Sequence, residues 1–114
     1  MSERELQVLV ANKKVLSYIG LGTKAGNIAS GEFSTEKAVK NGTAHLVIVA
    51  GDASDNTKKM FYNMCKFYEV PLYFYGTKDE LGHAIGKAMR SSLAITDDNF
   101  AKSVTKHLGK EAEL

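Results

Sequence analysis

Cysteine and proline each occur once in this chain of 114 residues, as Cys65 and Pro71. A single thiol excludes an internal disulfide and suits a reducing compartment. Long apolar runs are missing as well. No stretch approaches the roughly 18 apolar residues of a membrane-spanning helix, and no charged n-region leads into an apolar h-region as in a secretory signal. The chain is therefore expected to be neither secreted nor membrane-spanning, with the cytoplasm as its setting. Charge of one sign is scarce too: 15 Lys and Arg against 13 Asp and Glu leave a net +2 and a pI near 8.6. That balance permits nucleic-acid binding without demanding it, so a local cluster would have to carry the electrostatics.

Catalytic constellations are equally scarce. His45 precedes a strand, His83 lies within a helix and His107 sits in the last helix, and no Cys-His or His-x-x-x-His metal spacing joins them. Cys65 falls on the apolar stripe of a helix and reads as a small core residue. The carboxylate pairs Asp79-Glu80 and Asp97-Asp98 each stand at a helix start, where capping explains them. Nothing assembles a nucleophile, a base and an orienting group. The expectation is a protein that is not an enzyme and needs no metal or cofactor.

What is present is enough to fold. With 44% apolar and 25% charged residues the chain can bury a core and does not look disordered. It reads as one domain over residues 1–114, with 1–11 a loose N-terminal extension and 109–114 a fraying tail. Ser2-x-x-Glu5 fits a capping box for a helix from residue 3, but a start at Asn12 serves as well; Val15, Leu16 and Ile19 make the apolar face of a helix over about 12–25. His45 to Ala50 is a continuous β-branched run, as in a central strand covered on both faces. Met60, Phe61, Met64, Cys65 and Tyr68 form a helical stripe that ends before Pro71. Leu72 to Tyr75 is a further strand. Thr77-x-x-Glu80 is a capping box opening a helix with Leu81, Ala84, Ile85 and Ala88 inward. Ser91 to Thr96 is another strand, and Asp97 or Asp98 caps a last helix bearing Phe100, Ala101, Val104 and Leu108. Regular alternation of helix and strand predicts an α/β fold, a small sheet between helices.

The stretch from Lys24 to Gly42 organises the rest. It predicts a turn at 24–27, a short strand at Ile28 to Ser30, a hinge at Gly31 and a helix from about Thr35 to Asn41. Ser34 is the expected N-cap, Phe33 and Ala38 the expected hydrophobic staple, and Asn41-Gly42 the left-handed exit. A helix start offers unpaired N–H groups and the positive end of a dipole, both of which favour an anion. Between positions 12 and 42, five lysines (Lys13, Lys14, Lys24, Lys37, Lys40) face two acids (Glu32, Glu36). Donors and cations in one place suit a phosphate backbone.

Other motifs are weaker. Gly20-Leu21-Gly22-Thr23-Lys24-Ala25-Gly26 follows a helix rather than a strand, so it reads as a helix terminus and turn, not a dinucleotide loop. Asp52, at the end of a buried strand, could contact a ribose, but capping the next helix together with Ser54 is the better account. Among the aromatic residues, core packing accounts for most; Tyr62 and Tyr75 stay open as base-stacking positions.

Several motifs in order resemble a known family. They are Gly20 to Gly26; Ser30-Gly31-Glu32 with Lys37 following; Ala44 to Ala50; Asp52-Ala53-Ser54-x-Asn56-Thr57; Val70-Pro71; Leu81-Gly82-x-Ala84-Ile85-Gly86-Lys87; and Leu93 to Asp97. Over residues 12–106 the chain resembles the kink-turn RNA-binding ribosomal proteins of the L-seven-Ae and L-thirty-e type, most closely their bacterial YlxQ-type branch. The resemblance implies a three-layer α-β-α sandwich around a small four-stranded mixed sheet. It implies binding of structured RNA, a kink-turn or related rRNA-like internal loop, in a ribosome-associated setting by a monomer. The implied contacts are Gly31, Phe33, Ser34, Lys37 and Asn41 at the helix start, Lys87, Ala88, Met89 and Arg90 in a distant loop, and Lys24 on the backbone; Glu32 and Lys40 complete the candidate set. Strong binders of this type carry Asn-Glu where this chain has Phe33-Ser34, so a polar base readout is lost and the preference should be weaker or altered. The rival expectation is a protein-binding adaptor that kept the fold but lost the RNA; a third, a small nucleotide-binding enzyme, would need Asp52 and the glycine turn.

Overall fold

Four short strands meet edge to edge in the computed structural model, which describes the backbone of residues 3–113 and the side chains of 14–108. They are β1 (Ile28–Ser30), β2 (Leu46–Val49), β3 (Leu72–Phe74) and β4 (Ser92–Ile95), in the spatial order β1-β4-β2-β3. β4 runs antiparallel to both neighbours, with Ser30 opposite Leu93 and Val49 opposite Ser92. β2 and β3 are parallel, pairing Val47 with Leu72 and Val49 with Phe74. The two central strands, β2 and β4, are buried along their whole length. This is what an unbroken run of β-branched and apolar residues requires, since neither face of such a strand tolerates water.

Five helices cover the sheet: α1 (Glu3–Lys24), α2 (Glu32–Lys40), α3 (Asp55–Tyr68), α4 (Lys78–Ala84) and α5 (Asp98–Glu113). α2 packs over β1 and β4, α3 over β2 and β3, and the two helices touch. α1 lies against α4, α5 and β1, with α5 on β4. The result is a three-layer α-β-α sandwich on a mixed sheet. Phe61, Leu46, Ile48, Leu81, Leu93, Ile95, Ile19 and Val104 are sealed from solvent at its centre. Burial of each such side chain contributes about 1.5–3 kcal/mol. Among the described residues no helix is long and apolar enough to cross a membrane.

The helix expected from about residue 12 begins at Glu3 and runs unbroken to Lys24, so the alternative start at Asn12 is not used. Ser2, the expected cap, lies outside the described residues. α3 ends where Glu69 turns left-handed at φ 58, two residues before Pro71, which could not continue a helix. Cys65 is buried on the inner side of α3, and burial pushes its thiol up to about 11, so it is inert near neutral pH.

Two expectations change, one for a residue left open and one for a residue read as inward. Tyr75 is only 7% exposed and belongs to the core, which removes it as a stacking platform. Ala88 is exposed, because α4 stops at Ala84 and the chain leaves the helical face before reaching it. Asp52 and Ser54 both cap, but different helices. Ser54 accepts from Thr57 N at the start of α3, whereas Asp52 Oδ1 accepts from Lys78 N of α4 at 2.8 Å.

Candidate nucleic-acid interface

α2 begins earlier than its sequence suggests. Its N-cap is Gly31, at φ 92 and ψ 159, a conformation open to glycine and costly to other residues. Ser34 is therefore not the cap but sits inside the first turn, and no side chain caps this helix. Thr35 N is the first to bond back, donating to Gly31 O at 2.9 Å. Among the described residues, the amides of Glu32, Phe33 and Ser34 meet no acceptor, and together they form the positive end of the helix dipole. Phe33 stands 79% exposed, so the expected staple against buried Ala38 does not form.

This open start is held firmly in place. Gly31 N donates to Ser92 O at 3.0 Å. Ser92 Oγ donates to Thr35 Oγ1 at 3.4 Å, and both side chains are fully buried. Thr35 and Ser92 are the two buried polar side chains of the described core, and each satisfies the other.

The second wall is the loop at 86–90. It is pinned to α4 by Lys87 N donating to Gly82 O (2.9 Å) and Arg90 N donating to Lys78 O (3.0 Å). Gly82 makes this approach possible. A Cβ there would overlap the Ala88 carbonyl oxygen and lie 2.6 Å from its carbon and 3.0 Å from Met89 Cα. Glycine at position 82 thus has a packing cause: backbone lies directly on a helix. Arg90 Nη1 donates to Met89 O at 2.9 Å, which fixes the guanidinium beside Gly31.

Met89, 58% exposed, stands between two clefts. The smaller, about 380 Å³, is lined by Gly31, Glu32, Phe33, Ser34, Met89 and Arg90 together with Ser30 and Ser91. The larger, about 1180 Å³, brings Lys24 and Leu21 of α1 together with His83, Lys87, Ala88 and Met89. The structure therefore joins residues 31–34 to 89–90, and Lys24 to 87–89. Lys37, Lys40 and Asn41 line neither cleft. Lys37 and Lys40 lie in the last turn of α2, and Lys40 Nζ pairs with Glu36 Oε1 at 2.7 Å. The hydrogen bond and charge of Glu36 raise the Lys40 pKa. Asn41 Oδ1 accepts from Thr43 N and Thr43 Oγ1, closing the turn after α2. Among the described residues, Lys24, Lys37 and Lys87 take part in no ion pair. Leu21 and His83 are cleft residues that the sequence pattern did not single out; both follow α-helical spacing and carry no signal of their own.

The arrangement can hold an anionic chain against free amides and unpaired ammonium groups, and can seat a flat apolar group on Phe33 and Met89. It is poorly suited to chemistry. His45 Nδ1 lies 3.7 Å from Asp98 Oδ1 at the surface, His107 stacks on Tyr18, and no group of metal-binding side chains occurs among the described residues.

Comparison with known proteins shows the family and the fold. The model of the ribosomal protein L7Ae/L30e/S12e/Gadd45 family matches residues 13–105. The RNA-binding protein YlxQ of Enterococcus faecium is 40% identical over 96 residues, 84% of this chain and 91% of that protein. A solved structure of a protein of unknown function from Bacillus halodurans C superposes with a TM-score of 0.81 at 35% identity, covering 84% of this chain and 97% of the other. A Giardia lamblia 15.5kD RNA binding protein superposes at 0.72 with 26% identity, covering 99% and 91%.

Proposed function

We propose that this chain, which belongs to the ribosomal protein L7Ae/L30e/S12e/Gadd45 family, binds structured RNA at a kinked internal loop, as a cytoplasmic, ribosome-associated monomer. Proteins of this family are of the RNA-binding ribosomal type, and the chain is not an enzyme. The observation that carries the reading is the uncapped start of α2 facing the loop at 86–90, with both walls fixed by buried or backbone hydrogen bonds. A phosphate sits at the free amides of Glu32 to Ser34, Lys24 and Lys87 neutralise the backbone along the larger cleft, and Met89 packs on an extruded base. Lys37, one turn further along α2, meets the flanking phosphates.

Base recognition is altered. Where strong binders of this type carry Asn-Glu, Phe33-Ser34 offers a ring and one hydroxyl, so fewer base-edge hydrogen bonds form and phosphate contacts contribute a larger share. Affinity then falls steeply with salt. The test is a titration of a kink-turn RNA and a plain duplex of equal length against the wild type and Lys37→Ala. We expect the wild type to prefer the kinked RNA and Lys37→Ala to weaken it; four equal affinities would overturn the assignment.

A second reading draws on the exposure of Phe33 and Met89, which would also seat an apolar side chain of a protein partner. Salt separates the two: an adaptor that has lost RNA binding shows a slope near zero with any RNA.

A further inference from the structure

The outer face of α3 carries a pattern that the cleft does not use. Lys58, Tyr62 and Lys66 follow one another at four-residue intervals, with Lys59 and Phe67 alongside, while Phe61 and Cys65 turn inward to the core. Tyr62 is 53% exposed and Phe67 is 78% exposed. Rings of this size in water on a helix whose other side fills the core are not needed for folding. Lys66 Nζ stands 6.0 Å from the centre of the Tyr62 ring, and the Phe67 and Tyr68 rings meet edge to face at 4.9 Å. None of the three lysines forms an ion pair among the described residues, although Asp55 lies in the first turn and Glu69 just past the last. α3 also packs against α2.

We infer that this face of α3 is a second RNA contact, one that takes an unpaired strand with bases stacked on Tyr62 and Phe67 and phosphates on Lys58, Lys59 and Lys66. The ligand class follows from the chemistry. An acidic protein surface would answer the lysines but leave the ring faces uncovered, and an apolar protein surface would desolvate three ammonium groups without partners. A single strand supplies both, a phosphate and a π-face at each nucleotide. Duplex RNA does not, because its bases are already stacked on each other. This contact does not depend on the kink-turn reading, since it uses no residue of either cleft.

The test uses the full chain and a fluorescein-labelled uridine dodecamer, which has no internal loop to offer. We expect salt-dependent binding by the wild type, weakened at least about thirtyfold in the double variant Tyr62→Ala, Phe67→Ala. The triple variant Lys58→Gln, Lys59→Gln, Lys66→Gln should flatten the slope of log affinity against log salt by about 2. Lys37→Ala should leave the dodecamer affinity unchanged. All substituted side chains are at the surface, and circular dichroism checks that the variants remain folded. The inference is overturned if the double variant binds the dodecamer as the wild type does, if the wild type does not bind it at low salt, or if Lys37→Ala abolishes binding. Kink-turn binding that fails while dodecamer binding persists would count against the cleft alone.

Discussion

The starts of α2 and α4 face the same loop but are built in opposite ways. At α4, Thr77 Oγ1 accepts from Glu80 N, Glu80 Oε1 accepts from Thr77 N, and Asp52 Oδ1 accepts from Lys78 N. The amides of Thr77, Lys78 and Glu80 are thereby taken up by the protein. At α2 a glycine cap contributes no side chain, and the amides of the first turn remain open. α3 and α5 resemble α4, capped by Ser54 and by Asp97, whose Oδ2 accepts from Phe100 N. A helix start closed by its own side chains is a structural joint; one left open and held rigidly, here beside the Arg90 side chain, keeps donors that an anion could use. The two helices divide the work: α4 positions the 86–90 loop, and α2 offers the donors.

The sharpest way to break this division is at Gly82. Gly82→Ala drives a methyl into the Ala88 backbone and should cost about 1–3 kcal/mol of stability, and it should weaken RNA binding as Met89 is displaced. Denaturant unfolding and fluorescence anisotropy read the two effects, and unchanged RNA affinity would remove the loop from the site. Next comes the proposed change of base readout at Phe33 and Ser34. Phe33→Asn with Ser34→Glu should tighten kink-turn binding about tenfold, roughly 1.4 kcal/mol, and leave plain-duplex binding as it was; equal gains on both RNAs would deny any base recognition at these positions.

Capping gives a smaller and opposite contrast. Thr77→Ala should cost about 1 kcal/mol with RNA affinity intact, while Ser34→Ala should leave stability within about 0.5 kcal/mol because that hydroxyl caps nothing. Thermal melts of the pair decide it, and a Ser34→Ala loss matching that of Thr77→Ala would restore Ser34 as the cap. The smallest effect separates two lysines on one helix. Lys37→Ala should reduce the salt slope for structured RNA by up to about 0.9. Lys40→Ala should reduce it less, since Glu36 already holds that ammonium.

Much of this was legible in advance where a local rule has one physical outcome. The Thr77-Glu80 capping box, the buried β-branched run of β2, the α3 stripe and the end of that helix before Pro71 all follow from hydrogen-bond chemistry or side-chain periodicity over a few residues. The start of α2 was misplaced because Ser34 is a good cap in isolation. Gly31 displaces it because its amide bonds to Ser92 and buried Thr35 meets the same residue, contacts that lie far apart in sequence. Tyr75 was left open for a similar reason: the end of an edge strand can face either way, and only the packing of the sheet turns it inward.

By itself, then, the sequence determined the order of elements and most of the core, and it named the candidate residues for a phosphate. Tertiary structure decided which of them stand together. Sequence spacing grouped Lys37 and Lys40 with the helix start, yet a helix rises along its axis, so both lie at its far end, and Lys40 is engaged by Glu36. Conversely Met89 and Arg90, distant in the chain, reach Gly31 because β4 carries the end of their loop back beside β1, and because Gly82 has no side chain to hold that loop away.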